Sequence, residues 1–204
     1  MRLSPAALVP QSGVFGRAWY CDSPILINAS GEGFHLTSAQ EGVYFDLWAD
    51  GQQRKFAWTD PAYHNAWLAL DRNGNGIIDD GSELFGSATP QPAPPAGRNK
   101  NGFNALAVYD RPENGGNDNG FIDPGDAIYS KLLLWIDENH DGISQPNELK
   151  HLSELGVDRI DLQYEQSRRV DEYGNAFFYR ARIWDAAGKR GGRLAWDVYL
   201  TTVH

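Results

Sequence analysis

The chain has 204 residues and a formal net charge of −9, which is enough length for one domain with a substantial core. The negative charge argues against nucleic acid or anionic lipid as a partner, because both attract clusters of Lys and Arg. No apolar run reaches the roughly 18 residues that a membrane helix needs, so we predict no membrane span. The chain has a single cysteine, Cys21, which excludes an internal disulfide.

Residues 1–24 are rich in Ser, Pro, Gly and Ala, and this composition predicts a linker or tail ahead of one domain over residues 25–204. The first residues make a poor secretory signal, since Pro5 and Pro10 interrupt the apolar stretch. We therefore expect this chain to be part of a larger polypeptide. Ile25-Leu26-Ile27 predicts a short buried strand, and the polar turn over 28–33 is interpreted as structural.

A β-hairpin is predicted next. Apolar residues alternate over 43–47 and again over 56–58, around the turn Ala49-Asp50-Gly51. Asp46 and Asp50 flank Trp48, so a cation bound in this turn would lack the usual oxygen at the third position of a calcium loop.

The segment 71–83 follows the pattern of an EF-hand calcium loop, which takes oxygens from positions 1, 3, 5, 7, 9 and 12. The acid expected at position 12 arrives one residue late, because Ser82 occupies that position and Glu83 follows it. We expect a helical start at Ser82 to absorb this shift. The predicted ligands are Asp71, Asn73, Asn75, the carbonyl of Ile77, Asp79 and Glu83.

Residues 87–101 contain four prolines and are predicted to form an extended surface excursion without helix or strand. Phe103, Leu106 and Ala107 then lie at helical spacing, which predicts a short helix that ends near Asp110.

A second calcium loop is predicted over 110–126. Counting back from Gly120 at position 6 puts Gly115, which has no side chain, at position 1. Asp110 can replace it if residues 111–115 loop out as an insertion. The predicted ligands are then Asp110, Asn117, Asn119, the carbonyl of Phe121, Asp123 and Asp126.

The segment 137–148 matches the EF-hand loop at all the diagnostic positions that we compared. Gly142 at position 6 allows the sharp turn that aims the ligands at one point. Glu148 at position 12 can close the site with both carboxylate oxygens. The predicted ligands are Asp137, Asn139, Asp141, the carbonyl of Ile143 and Glu148.

Short helices are predicted to flank these loops: one begins over 126–130, and another covers 146–155 and ends at Gly156. Strands are predicted near 157–162, over 176–184 and over 194–202. The predicted fold class is therefore α+β, with short helices around EF-hand-like calcium loops, an N-terminal hairpin and a C-terminal antiparallel sheet.

The order and spacing of three segments, 71–86, 101–107 and 137–157, resemble the calcium-dependent self-processing module of RTX proteins. The resemblance extends from about Ser23 to Leu162, and the late Glu83 is shared with that family. It implies calcium-driven folding and cleavage of an Asp-Pro bond at the N-terminal edge of the module. There the Asp carboxyl attacks its own carbonyl to form a cyclic anhydride, which water or a lysine amine then opens.

The corresponding bond in this chain is Ser23-Pro24, with Asp22 one place too early. A serine cannot form that anhydride, so we predict no catalytic residues. The bonds Asp60-Pro61 and Asp123-Pro124 are interpreted as structural.

Three functions are compatible with these observations. The first is a calcium-binding module, with two or three Ca²⁺ ions, in a larger extracellular or surface protein of a bacterium. The second is a calcium-triggered self-cleaving or cross-linking module, and the third is a calcium-dependent adhesive module that holds a glycan or a protein. No zinc motif or phosphate-binding loop is present.

Overall fold

The computed structural model describes residues 22–29, 31–186 and 193–203, so residues 1–21 of the predicted linker lie outside it. In the described residues the one α-helix, α1, is Gly102–Leu106, and 3-10 turns cover Ala107–Asp110, Pro112–Asn114, Tyr129–Lys131 and Leu152–Leu155. The strands are β1 (Ile25–Asn28), β2 (Val43–Phe45), β3 (Arg54–Phe56), β4 (Asn65–Ala69), β5 (Phe121–Ile122), β6 (Leu133–Trp135), β7 (Leu149–His151), β8 (Arg159–Asp161), β9 (Glu165–Val170), β10 (Ala176–Trp184) and β11 (Leu194–Tyr199).

Nine of these strands form one antiparallel sheet in the order β5-β8-β10-β11-β1-β4-β6-β7, with β9 also paired to β10. Strand β1 lies near the middle of the sheet, between β11 and β4. Strands β2 and β3 form a separate hairpin. Chain segments that are distant in sequence therefore become neighbours in the sheet.

Both faces of the sheet are covered, because successive residues of its central strands point to different apolar clusters. Ile25 and Ile27 of β1 pack in one cluster, with Phe103 of α1 and Leu152. Leu26 packs in the other cluster. All four residues of β1 are buried, which explains why its first three are all apolar rather than alternating with polar residues.

The β2–β3 hairpin covers the second face with aromatic side chains. The ring of Trp58 lies 5.0 Å from that of Trp67 and 5.4 Å from that of Trp135, measured between centroids. Phe45 lies 5.6 Å from Trp135 in the same cluster. These three Trp side chains are fully buried, so they stabilise the core and offer no surface to a glycan.

The predicted α+β fold class is wrong, because the described chain is mostly β-structure with one five-residue helix. The hairpin is present at β2–β3, and the predicted strands over 176–184 and 194–202 correspond to β10 and β11. They belong, however, to a sheet that also includes β4, which precedes the loop 71–83, and β6 and β7, which flank the loop 137–148. The short helix predicted after residue 102 is α1, and the 3-10 turn that follows it ends at Asp110.

The helices predicted around the loops are also wrong. Within 146–155 the chain forms β7 and the 3-10 turn Leu152–Leu155, and after Asp126 only the 3-10 turn Tyr129–Lys131 is found. A helix of one or two turns has little stability of its own, whereas β7 can pair with β6 along three residues. Gly156 does end its segment in the left-handed conformation, as predicted.

None of the helices in the described ranges is long and apolar enough to cross a membrane.

Candidate metal-binding loops

The loop 71–83 leaves the sheet after β4 and returns beside the same strand, where Ala69 pairs with Leu84. The carboxylate of Asp71 faces the loop interior. Its Oδ1 accepts the N–H groups of Gly74 and Asn75 at 2.7 and 3.2 Å, and its Oδ2 accepts that of Gly76 at 2.9 Å. The first predicted ligand is therefore held by the backbone of the loop itself.

Glu83 closes this loop although it arrives one residue late. Its Oε1 accepts the N–H of Arg72 at 2.9 Å, and its side chain is part of a residue only 3% exposed. The helical start predicted at Ser82 is absent. Residues 81–83 form a turn in which the N–H of Glu83 donates to the carbonyl of Asp80 at 3.1 Å, and this turn absorbs the shift.

The loop 110–126 has the predicted insertion. Residues 111–115 loop out through the 3-10 turn Pro112–Asn114, and Asp110 takes the first position. Its Oδ1 accepts the N–H of Asn119 at 3.1 Å and its Oδ2 accepts that of Gly120 at 2.9 Å. The structure thus places Asp110, and not Gly115, beside the fifth and sixth residues of the loop.

The loop 137–148 connects β6 to β7 and is the most buried at its two ends. Asp137 is 1% exposed and accepts the N–H groups of Asp141 and Gly142 at 3.1 and 3.0 Å. Glu148 is 2% exposed, and its Oε2 accepts the indole N–H of Trp135 at 3.2 Å. This loop is therefore joined directly to the aromatic core.

The three loops share one hydrogen-bond pattern. In each loop, the first Asp accepts the N–H groups of positions 5 and 6, and position 5 accepts the N–H of position 7 through its side chain. The closing acid accepts the N–H of position 9: Glu83 from Asp79, Asp126 from Asp123, and Glu148 from Gln145. The predicted ligands of each loop are thus brought together around the same turn.

Backbone conformation repeats in the same way. Positions 4 and 6 of every loop have positive φ, a conformation that favours Gly and, to a lesser extent, Asn and Asp. The residues are Gly74 and Gly76, Asp118 and Gly120, and His140 and Gly142.

Side-chain amides lie beside the acids inside the loops. In each loop, two side-chain amides donate N–H groups to one acid, which is at position 9 in the first two loops and at position 5 in the loop 137–148. The distances between amide nitrogen and carboxylate oxygen are at most 3.3 Å. The pairs are Asn73 and Asn75 with Asp79, Asn117 and Asn119 with Asp123, and Asn139 and Gln145 with Asp141.

The donor set fits a hard cation bound by mixed oxygens. Within the described residues, no group of three or more His, Cys, Asp and Glu side chains is arranged to hold a metal. Each loop has three predicted acidic ligands that are not gathered at one point, and it adds the amide and carbonyl oxygens that Ca²⁺ also accepts as ligands. In the loop 137–148, the buried Oε1 of Gln145 accepts no hydrogen bond, and a cation would satisfy it.

Burial and like charge oppose ionisation of the loop acids. Desolvation raises the pKa of Asp137, with a further contribution from Glu148 and Asp141, against the N–H bonds from Gly142 and Asp141. Desolvation likewise raises the pKa of Asp126, and Asp110 and Asp123 add to this effect. A divalent cation among these carboxylates would attract each of them, outweigh their mutual repulsion and favour their ionised forms.

The hairpin turn that begins at Asp46 has the same backbone conformation as these loops but different side-chain partners. Asp46 accepts the N–H groups of Asp50 and Gly51 at 3.1 and 2.7 Å, and both Ala49 and Gly51 have positive φ. Arg54 bonds both oxygens of Asp50 at 2.9 Å. A guanidinium is therefore already paired with the fifth-position acid of this loop.

The edge of the domain near Pro24 is buried in the sheet. The carbonyl of Ser23 accepts the N–H of Ser87, and the carboxylate of Asp22 accepts the hydroxyl of Ser87 at 2.7 Å. Ser23 Oγ and Asp197 Oδ1 are buried there without a hydrogen-bond partner. Desolvation raises the pKa of Asp197 to about 7, against a hydrogen bond from the N–H of Gly102.

The model of the SPM domain family matches residues 25–200. This chain belongs to the SPM domain family. It is also similar to the iron-regulated protein FrpA of Neisseria meningitidis serogroup C, with 37% identity over 154 residues. That alignment covers 74% of this chain and 13% of FrpA. The matched region includes all three loops and ends one residue after β11.

Two features of the loops were not predicted from the sequence. Gln145 occupies position 9 of its loop, and the EF-hand pattern alone could have identified it as a ligand candidate. Arg54 was missed because its role depends on the hairpin, which returns the guanidinium to Asp50.

Proposed function

We propose that this chain is a calcium-binding module in which each of the loops 71–83, 110–126 and 137–148 takes one Ca²⁺ ion. The observation that carries the proposal is the repeated hydrogen-bond pattern, which orients the first and last acids of all three loops in the same way. The orphaned Oε1 of Gln145 and the crowded carboxylates support it, because both gain from a divalent cation.

In this proposal calcium stabilises the fold. Each loop is continuous with the central sheet, through β4, through β5, or through β6 and β7. An ion that binds only the folded chain therefore stabilises it against unfolding by mass action. The gain is about 2.7 kcal/mol per site when calcium exceeds the dissociation constant a hundredfold. Because amides supply many of the ligands, we expect weak sites, on the order of 10⁻⁴ M, as in extracellular modules.

We place the module outside the cell or at the surface of a bacterium, where calcium reaches millimolar concentrations. We also propose that it works as part of a larger polypeptide. The short share of FrpA that aligns with this chain supports that view.

We propose that the chain does not cleave itself, because Ser23 occupies the position where the resemblance requires Asp. Attack of the serine hydroxyl on its own carbonyl would close a strained four-membered ring. Incubation with calcium followed by intact-mass measurement tests this exclusion. An unchanged mass is expected, and two fragments that sum to the chain plus water would contradict it.

Calorimetric titration of the chelator-treated chain with Ca²⁺ tests the main proposal. We expect uptake of three ions and a melting temperature that rises with calcium, with a much smaller rise for Mg²⁺ at equal concentration. The matched control is the exposed substitution Ser153→Ala, which should keep the full response. A chain with no heat of binding and the same melting temperature with and without chelator would refute calcium binding.

A further inference from the structure

Two of the three loops touch each other through buried atoms. The N–H of Ile78, at position 8 of the loop 71–83, donates to Ser144 Oγ at 2.6 Å. Ser144 occupies the same position 8 in the loop 137–148, and its hydroxyl also lies 3.5 Å from the carbonyl of Ile78. Both residues are at most 3% exposed.

The contact acts on a proposed calcium ligand. The N–H of Ile78 belongs to the same peptide group as the carbonyl of Ile77, which occupies position 7. Because a peptide group is planar and rigid, a hydrogen bond to its N–H fixes the direction of its carbonyl. It also polarises that carbonyl, which strengthens it as an acceptor or ligand. In the other loop, the carbonyl of Ile143 is joined directly to Ser144.

The loops 71–83 and 137–148 also contact the same part of the β2–β3 hairpin, at and beside β2. His140 Nε2 lies 2.8 Å from the carbonyl of Glu41, and the N–H of Gly81 donates to the carbonyl of Asp46 at 2.9 Å. A Cβ on Gly142 would lie 2.7 Å from the carbonyl of Tyr44. Ordering either loop therefore restrains β2, which the other loop also contacts.

The loop 110–126 has a different neighbour. Its position 8 is Ile122 of β5, which pairs with Ile160 of β8 rather than with another loop. The N–H of Leu162 donates to the carbonyl of Gly120 in the same region. This loop is thus attached to the opposite end of the sheet order from β6 and β7.

We propose that the loops 71–83 and 137–148 bind calcium as a coupled pair through the Ile78–Ser144 contact, while the loop 110–126 binds independently. This inference rests on the proposed function. It predicts that a calcium ion in either paired loop raises the affinity of the other, with equal coupling in both directions. The module would then order the hairpin over a narrow range of calcium concentration.

The test follows the indole N–H resonance of Trp135 by NMR during calcium titration, because that group donates to Glu148 in the loop 137–148. Asp79→Asn, at position 9 of the partner loop, should raise the midpoint for this resonance about tenfold, a typical coupling. The matched substitution Asp123→Asn, at position 9 of the loop 110–126, should move it less than twofold. Neither side chain is fully buried, so both variants should fold.

Ser144→Ala removes the link itself. In the Ser144→Ala variant, adding Asp79→Asn should cause no further shift in the calcium midpoint of the Trp135 resonance. Ser144→Thr keeps the hydroxyl, so in that variant Asp79→Asn should shift the midpoint again. Equal shifts from Asp79→Asn and Asp123→Asn would overturn the coupled pair and leave calcium binding intact. Absence of any calcium uptake would overturn both proposals.

Discussion

The loop that begins at Asp46 and the loop that begins at Asp137 have nearly the same backbone and very different charge environments. In both, the first Asp accepts the N–H groups of positions 5 and 6, and positions 4 and 6 have positive φ. In the first, Arg54 pairs with the carboxylate of Asp50 and also donates to the carbonyl of Gln52 at 3.1 Å.

In the loop 137–148, no Lys or Arg of the described residues is paired with the acids. The pKa values of acids in the two loops also shift in opposite directions. Hydrogen bonds from Arg54 lower the pKa of Asp50, whereas burial raises that of Asp137. The comparison teaches that the same backbone turn forms with and without a paired guanidinium, and that the side chains decide the charge environment of the turn.

Asp197 extends the comparison, because its carboxylate lies outside all these loops and is not paired with an arginine of the described ranges. Its substitution gives the largest expected effect. The pKa of Asp197 is about 7 in the folded chain against 3.8 as its ordinary value. The folded state therefore binds more protons than the unfolded state between these pH values, and stability from this group is lost as pH rises from about 4 to about 7.

Asp197→Asn removes this penalty and keeps an oxygen to accept the N–H of Gly102. We expect the variant to be more stable than the original chain by on the order of 4 kcal/mol above pH 8, with the difference vanishing near pH 4. Urea unfolding of both proteins from pH 4 to pH 8.5 measures it. A difference that does not vary with pH would show that Asp197 ionises freely.

Glu148→Gln tests the proposed calcium site of the loop 137–148. The substitution keeps the size of the side chain but removes the charge that closes the loop 137–148. We expect loss of this site's calcium-dependent stabilisation, about 3 kcal/mol at a hundredfold excess of calcium over the dissociation constant. Thermal unfolding with calcium and with chelator checks it, and an unchanged difference between the two conditions would contradict the assignment.

Alanine at the sixth position compares the packing of the two turns. Gly51 and Gly142 have similar φ values, 82° and 74°, so each substitution incurs about 1–2 kcal/mol of left-handed strain. A Cβ at position 51 meets nothing within 4 Å, while at position 142 it would clash with Tyr44. Chemical denaturation should therefore show Gly142→Ala as the more destabilising change, and equal losses would argue against the contact with β2.

Arg54→Gln should have the smallest effect. The pair with Asp50 lies at the surface and is screened by solvent, so we expect a small decrease in melting temperature that is equal with and without calcium. Thermal unfolding in calcium and in chelator measures both values. A variant that gains more stability from calcium than the original chain does would show that the guanidinium had been occupying a latent cation site.

Local patterns predicted some elements well. The continuous apolar run of Ile25-Leu26-Ile27 identified β1, and the alternation around Asp50 identified the hairpin. Spacing alone pointed to Gly115 at the head of the second loop and allowed Asp110 there only if residues 111–115 loop out, which the structure shows. The element types around the loops were mispredicted, because segments such as 149–155 are too short for periodicity to separate helix from strand.

The sequence by itself determined where the three acidic loops begin and end, because the spacing of Asp, Asn, Gly and Glu is a local property of the chain. Only the tertiary structure decided which elements flank them. Strands β6 and β7 border the loop 137–148 and β4 precedes the loop 71–83, because the sheet supplies hydrogen bonds to segments too short to form stable helices, whereas α1 and its 3-10 turn lead into the loop 110–126. The tertiary structure also decided which loops meet: Ile78 and Ser144 are separated by 66 residues. No local pattern encodes a contact that depends on the order of strands in a sheet.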